Sequence, residues 1–217
     1  MDNLYEISII ICNYNHDKWI ERSIRSLLHQ QHIQKNEFEI IIIDDCSVDD
    51  SVKVLKKFKK FDNVRLIFNK KNIGLSSSIN KAIKSSYGRY IVRVDSDDYV
   101  SRNFLFFLKY FLIHNREYQA VACDYIKVDE QENVIKKVKF SDEQIACGVM
   151  FRRECLFDLG LYNTTYEMRE GHELMKRFKQ KNLKLAFLEF PLYKYRIHQN
   201  NRTKNIKKLN YYDKKLK

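Results

Sequence analysis

Glu39-Ile40-Ile41-Ile42-Ile43-Asp44-Asp45 is an unbroken β-branched run that stops abruptly on two carboxylates. Branching at Cβ suits the pleated strand, and the lack of polar alternation means that both faces must be covered, as in a parallel strand between layers of helices. Ile7-Ser8-Ile9-Ile10-Ile11-Cys12 reads the same way. Between the two runs, Trp19, Ile20, Ile24, Leu27 and Leu28 recur at helical spacing over residues 17–30, with Asn15 or Asp17 available as the cap. Strand, helix and strand make a βαβ unit. The pattern continues outward with a helix over 49–61, a strand over 64–68, a helix over 76–86 opened by Gly74, and a strand over 90–94. Such alternation predicts an α/β fold with a doubly wound sheet. A smaller second half follows: a helix over 103–114, strands over 120–128, 134–140 and 148–151, a helix over 171–180 and a strand over 185–188.

Composition narrows the function. The 217 residues carry one proline and five glycines and show no linker-like stretch or internal repeat, so residues 1–201 read as one domain, followed by a basic tail, 202–217. The apolar stretches 38–43 and 104–113 fall short of the roughly 20 residues that cross a bilayer. The N-terminal Asp2 and Glu6 lack the basic-then-apolar pattern of a signal peptide, so a cytoplasmic location is expected. Cys12, Cys46, Cys123, Cys147 and Cys155 form no Cys-x-x-Cys pair and read as reduced thiols. The net charge of +12 favours a polyanionic neighbour, and the tail holds seven basic residues against the single acid Asp213. A helix there would alternate Lys204, Lys207, Lys208, Lys214, Lys215 and Lys217 with Ile206, Leu209, Tyr211, Tyr212 and Leu216, as suits peripheral contact with an anionic membrane; a frayed, solvated end is the plainer reading.

The chemistry gathers where strands end. Open α/β sheets bind ligands beyond the carboxyl ends of their strands. Here those ends carry Asn13-Tyr14-Asn15, Asp44-Asp45-Cys46-Ser47 and Asp95-Ser96-Asp97-Asp98. Any one cluster could simply cap the next helix; three at one sheet edge argue for a site. Three carboxylates within Asp95 to Asp98 repel one another unless a cation neutralises them. Mg²⁺ or Mn²⁺ suits such oxygens and commonly shares them with substrate phosphates, which points to a diphosphate ligand. Asp44 and Asp45 stand where acidic residues accept hydrogen bonds from a base or ribose.

The ordered set Ile7 to Asn15, Ile43-Asp44-Asp45-Cys46-Ser47-Val48-Asp49, Asn72-Ile73-Gly74, Asn80 and Gly88-Arg89-Tyr90 leading to Asp95-Ser96-Asp97-Asp98 closely resembles the family-2 inverting glycosyltransferases of the GT-A fold. Cys147 to Arg153 with Gly160-Leu161-Tyr162 looks like that family's acceptor-side segment, and Tyr195 to Asn200 like its closing motif. The resemblance implies a nucleotide-sugar-binding half, 1–100, and an acceptor-side half, 101–201, in a metal-dependent enzyme of surface polysaccharide or glycan synthesis. A nucleoside-diphosphate sugar, typically a UDP-sugar, would donate to a hydroxyl of a saccharide or lipid-linked acceptor, at the inner face of the membrane if the tail docks there. It further implies that Cys12, Asn13, Tyr14, Asn15, Asp44, Asp45, Asn72, Gly74 and Asn80 surround the nucleotide, that Asp95 and Ser96 face the ribose or diphosphate, and that Asp97, Asp98 and His198 approach the metal.

Three departures from the family pattern stand out. Cys46 replaces a usual glycine, Ile79 a frequent arginine, and the family's Glu-Asp pair that supplies the general base appears as Glu170-Gly171, followed by His172-Glu173. Glu170, His172 and Glu173 all remain candidates for the base, although an acid at a helix start also serves the helix dipole. A sugar nucleotidyltransferase would show a glycine-rich phosphate loop after the first strand, where Asn13-Tyr14-Asn15-His16-Asp17 stands instead. A nucleic-acid-binding module fits the charge, but carboxylates at the strand ends would repel its phosphates, and no nucleic-acid partner is expected.

Overall fold

The computed structural model describes residues 5–216; Asp2 and Lys217 of the sequence reading lie outside the described residues. The first three parallel strands, β1 (Ile7–Asn13), β2 (Phe38–Asp44) and β3 (Val64–Phe68), are joined through α1 (Asp17–Leu28) and α2 (Ser51–Lys56). Next, α3 (Leu75–Lys84) crosses to β4 (Tyr90–Arg93), which pairs with β1 on the side opposite β2. This reversal makes the carboxyl ends of β1 and β4 a topological switch point, the natural place for a ligand crevice.

The isoleucine runs do what their composition requires. On β1 and β2, Ile9, Ile11, Ile40 and Ile42 face one core with Ile20, Ile24 and Leu27 of α1, while Ile10, Ile41 and Ile43 face the other with Ile79, Ala82 and Ile83 of α3. Alternate residues thus serve two helix layers, and no polar position is needed on either face.

The second half comprises β5 (Tyr99–Val100), α4 (Phe104–His114), β6 (Ala120–Val128), β7 (Val134–Val138), β8 (Val149–Arg152), α5 (Arg153–Asp158), α6 (Glu170–Gln180), β9 (Leu185–Arg196) and α7 (Ile206–Leu216). Together the strands form one mixed sheet in the order β3-β2-β1-β4-β8-β6-β9-β5, with β7 paired to β6. β8 is antiparallel to β4 and β6, and it welds the two halves together.

The structure differs from the sequence reading in several elements. β9 runs to Arg196, where only residues 185–188 were expected, because Pro191 and the mixed burial along the strand hide its periodicity while register shifts against β6 accommodate them. β5 and α5 are short elements without a periodic signal of their own. The tail is neither frayed nor free: after a short turn at Arg202–Lys204, α7 packs Leu209, Tyr212 and Leu216 against Tyr166 and Met168, and Arg169 forms an ion pair with Asp213 at 2.6 Å. Three of the apolar residues considered for membrane contact are thus used internally, leaving Ile206 and Tyr211 outward at 59% and 62% exposure.

Candidate active site

Each of the three strand ends closes on itself before it offers anything to a ligand. Asp44, 1% exposed, accepts hydrogen bonds from Asn13 Nδ2 (2.9 Å), Ser47 Oγ (2.7 Å) and the Ser47 N–H (3.0 Å). Asp45 takes Asn69 Nδ2 and the Ile73 N–H on Oδ1, and the Gly74 N–H on Oδ2, all at 2.8–2.9 Å. The paired aspartates therefore shape the pocket wall by tying the β1, β2 and β3 ends together. Cys46, at the place of the usual glycine, has φ 65°, a left-handed conformation that explains why glycine suits this turn. Asn15, also at positive φ, bridges to Val48 and Ser47. Asn72 caps the Gly74 N–H at 3.1 Å. Asn80 clamps the Tyr162 backbone through both its amide atoms, at 2.7 and 2.9 Å, which makes it a joint between the halves. Tyr14 stays 46% exposed at the rim, and burial pushes the Cys12 thiol well up, so it is neutral.

The Asp95 to Asp98 turn is divided between two environments. Asp98, 2% exposed, accepts the Arg196 N–H on Oδ1 (2.8 Å) and the Tyr193 hydroxyl on Oδ2 (2.7 Å). Burial, then the nearby Asp97 and Asp95, raise its pKa well above the usual carboxylate range. Asp97 behaves oppositely. Burial opposes its ionisation, but the His198 hydrogen bond (Nε2 to Oδ2, 2.9 Å) and the adjacent His16 and His198 outweigh it and hold its pKa below the ordinary value. The Ser96 hydroxyl, 2% exposed, bonds to His16 Nδ1 at 2.7 Å. Ligand atoms of His16, Asp97 and His198 lie within 4.8 Å of one another, whereas Asp98 falls in a separate group with Asp95 and Cys147. Of the carboxylates read as metal ligands, Asp97 thus shares a cluster with His198, and Asp98 does not.

Arg93 joins this centre to α6. Its buried guanidinium donates to Asp95 Oδ1 (2.7 Å) and to Glu170 Oε1 (2.9 Å). Burial would raise the Glu170 pKa, but Arg93 and Arg202 overcome it and keep the carboxylate ionised. Glu173 is turned to Arg177 by a two-point ion pair, and burial with Arg169 depresses the His172 pKa. The structure also explains Gly171: a Cβ there would stand 2.3 Å from the Ala146 Cβ, so an aspartate would require the 144–146 loop to move. Beside it a cavity of about 410 Å³ lies between that loop and α6, lined by Gln144, Ile145, His172, Met175, Lys176 and Lys179 among others.

Sequence reasoning missed Arg93, Tyr193, Arg196 and His16. Arg93 and Tyr193 stand in no quoted motif; His16 stood within the segment after β1 and Arg196 within the closing motif, and both became visible as site residues only through the fold.

The mixed sheet with its crevice at a switch point has the architecture of the GT-A fold. Residues 8–215 match the family described as Glycosyl transferase family 2, and the chain belongs to that family. Over 93 residues, 42% of this chain, it is 36% identical to the putative teichuronic acid biosynthesis glycosyltransferase TuaG of Bacillus subtilis. Over 103 residues, 47% of this chain, it is 32% identical to the poly(ribitol-phosphate) β-N-acetylglucosaminyltransferase TarS of Staphylococcus aureus. These matches span 36% and 18% of the relatives' own lengths. In fold it resembles the S. aureus TarS fragment 1–349 in complex with UDP-GlcNAc, with a TM-score of 0.78 at 21% identity over 92% of this chain and 61% of that one. The mannosyltransferase PcManGT of Pyrobaculum calidifontis, in complex with GDP-Man and Mn²⁺, gives 0.72 at 15% identity over 92% of this chain and 60% of that one.

Proposed function

We propose that the chain transfers a sugar, with inversion, from a UDP-sugar to a hydroxyl of a saccharide or lipid-linked acceptor in surface polysaccharide synthesis, in a reaction that depends on Mn²⁺ or Mg²⁺. The observation that carries this reading is the half-buried Asp97, hydrogen-bonded to His198 at 2.9 Å at the carboxyl end of β4. The donor set of one carboxylate and imidazole fits a divalent ion. Asp97 and His198 would hold it, and it would supply Lewis acidity to the departing diphosphate.

The chain's own groups do the rest. The nucleobase lies against Cys12, Tyr14 and the wall built by Asp45, and the buried, unpartnered Asn13 Oδ1 offers an acceptor beside it. Asp95, fixed by Arg93, orients the ribose or diphosphate. Glu170 takes the proton from the acceptor hydroxyl; Arg93 fixes its orientation and keeps it ionised. The chain works at the inner face of the membrane, where the outward Ile206, Lys207, Tyr211 and Lys214 of α7 touch anionic lipid. TarS and TuaG, named for cell-wall polymers, support the surface-polysaccharide setting.

Incubating the chain with UDP-, GDP- and dTDP-sugars, with and without divalent metal, and measuring release of the nucleoside diphosphate tests the reading. Metal-stimulated release from a UDP-sugar is expected. Release confined to another nucleotide would overturn the donor assignment, and incorporation of nucleotide into sugar phosphate would establish nucleotidyl transfer instead.

A further inference from the structure

Three loops that are far apart in sequence converge on one point. His16 follows β1, Asp97 follows β4 and His198 follows β9, yet one ligand atom from each lies within 4.8 Å of the others. The two imidazole rings are 5.9 Å apart and nearly perpendicular at 88°. Neither is loosely placed. The Ser96 hydroxyl holds His16 through Nδ1 at 2.7 Å, while the His198 ring lies 5.8 Å from Trp19, which carries the Arg196 guanidinium 4.4 Å from its own centroid. The His198 backbone N–H donates to Asn201 Oδ1 at 2.6 Å, closing the turn that presents the ring. For His16 the Ser96 hydroxyl is the kind of outer partner on the second ring nitrogen that a metal-ligating histidine uses.

We propose that His16 is a metal ligand, completing with Asp97 and His198 a two-imidazole, one-carboxylate centre that selects a first-row transition ion over Mg²⁺. The inference rests on the metal-dependent reading above and goes beyond it in ligand and ion. Mg²⁺ prefers oxygen donors in near-ideal octahedral geometry, whereas imidazole favours later ions, with affinity rising from Mn²⁺ to Co²⁺. Three protein donors leave positions open for diphosphate oxygens. A divalent ion balanced by a single carboxylate would keep a net positive charge, which favours an anionic ligand.

The sole tryptophan, Trp19, stands beside the centre and reports on it directly. Metal-stripped protein is titrated with Mg²⁺, Mn²⁺ and Co²⁺ by calorimetry and by quenching of Trp19 fluorescence, and pulsed EPR of the Mn²⁺ form counts the coupled imidazole nitrogens. Wild-type protein is expected to bind Co²⁺ most tightly and Mg²⁺ most weakly, with two imidazoles coupled to Mn²⁺. His16→Gln should weaken Mn²⁺ binding by about 100-fold, at or beyond the upper end of what losing an outer partner costs, bring the Mn²⁺ and Mg²⁺ affinities together and leave one imidazole coupled. Ser96→Ala, which removes only the hydroxyl that holds His16, should keep the preference for Mn²⁺. The assignment is overturned if His16→Gln keeps the wild-type ratio of affinities, or if the Mn²⁺ form of the wild type shows a single coupled imidazole. Should His16→Gln fail to fold, the wild-type spectrum decides: one coupled imidazole overturns the proposal and two sustain it. Wild-type protein that binds none of these ions yet transfers sugar overturns metal dependence and the ligand assignment together.

Discussion

The two halves of the sheet deliver side chains to the site by different routes. In β1 to β4 each polar cluster directly follows a strand of buried apolar residues, so residues adjacent in sequence are also adjacent at the sheet edge. In β6 to β9 the contributions reach back across the chain: the Tyr193 hydroxyl meets Asp98 95 residues away, and His198 meets Asp97 across 101. The first half builds a crevice by repetition of one unit, and the second reaches into it from a distance in sequence.

Asp97 is where the two routes meet, so its removal has the largest expected effect. Asp97→Asn should lower metal-stimulated turnover by about 10²–10³-fold, since losing the charge on the ion's ligand removes several kcal/mol of transition-state stabilisation. Circular dichroism should show an unchanged fold, and UDP binding without metal should persist. The depressed Asp97 pKa also gives a stability prediction. A carboxylate whose folded pKa lies below its unfolded value of about 3.9 contributes stability that is present above that pH and is lost as pH falls through the folded pKa. Acid denaturation curves should therefore be shallower for Asp97→Asn than for the wild type. Full metal-dependent activity in the variant would separate the halves functionally and refute their meeting at this residue.

The next effect distinguishes the carboxylates at the start of α6. Glu170→Gln should reduce kcat by about 10²–10⁴-fold, the range for loss of a general base, with donor KM little changed. Glu173→Gln should cost mainly stability, on the order of 1 kcal/mol, because Glu173 is joined to Arg177 on its own helix. Since Arg93 keeps Glu170 ionised, the acid limb of kcat/KM should lie below the ordinary glutamate value of about 4.3, with activity lost as pH falls through it. Arg93→Ala should move that limb upward. A limb near neutrality that vanishes in His172→Ala would transfer the role to His172.

How much of this was legible in sequence follows from the same contrast. The isoleucine runs of β1 and β2 have one physical solution, burial on both faces, and their ends point to the ligand crevice by topology alone. Asp95 to Asp98 was legible as a crowded anionic turn, but its division was not, because it depends on the deep burial of Asp98 and on the His198 and His16 side chains beside Asp97. The structural work of Asp44, Asp45 and Asn80 was hidden for a related reason: several of their partners are backbone N–H groups and carbonyls, which leave no residue-type signature. Gly171 read as the loss of an acid, and only the neighbouring Ala146 backbone shows that a side chain does not fit there.

The smallest expected effect lies farthest from the crevice. α7 is divided between a face that folds and a face that is free: Leu209, Tyr212 and Leu216 cover Tyr166 and Met168, while Ile206 and Tyr211 point outward among lysines. Ending the chain at Asn201 should lower stability by about 2–3 kcal/mol, the value of burying one or two large side chains, with little added by the partly exposed Arg169–Asp213 pair. It should also abolish a preference for anionic vesicles, to which each lysine near the surface contributes about 1 kcal/mol in a salt-dependent way. Because truncation disturbs both faces at once, Ile206→Ser with Tyr211→Ser gives the cleaner arm: vesicle sedimentation should weaken while the melting temperature falls far less than on truncation, since Ile206 is exposed and Tyr211 touches the core only through its edge-on contact with Tyr212. Equal sedimentation of this double variant and the full chain on anionic vesicles, or equal binding to neutral ones, would assign α7 to folding alone and leave the crevice to act without a membrane surface.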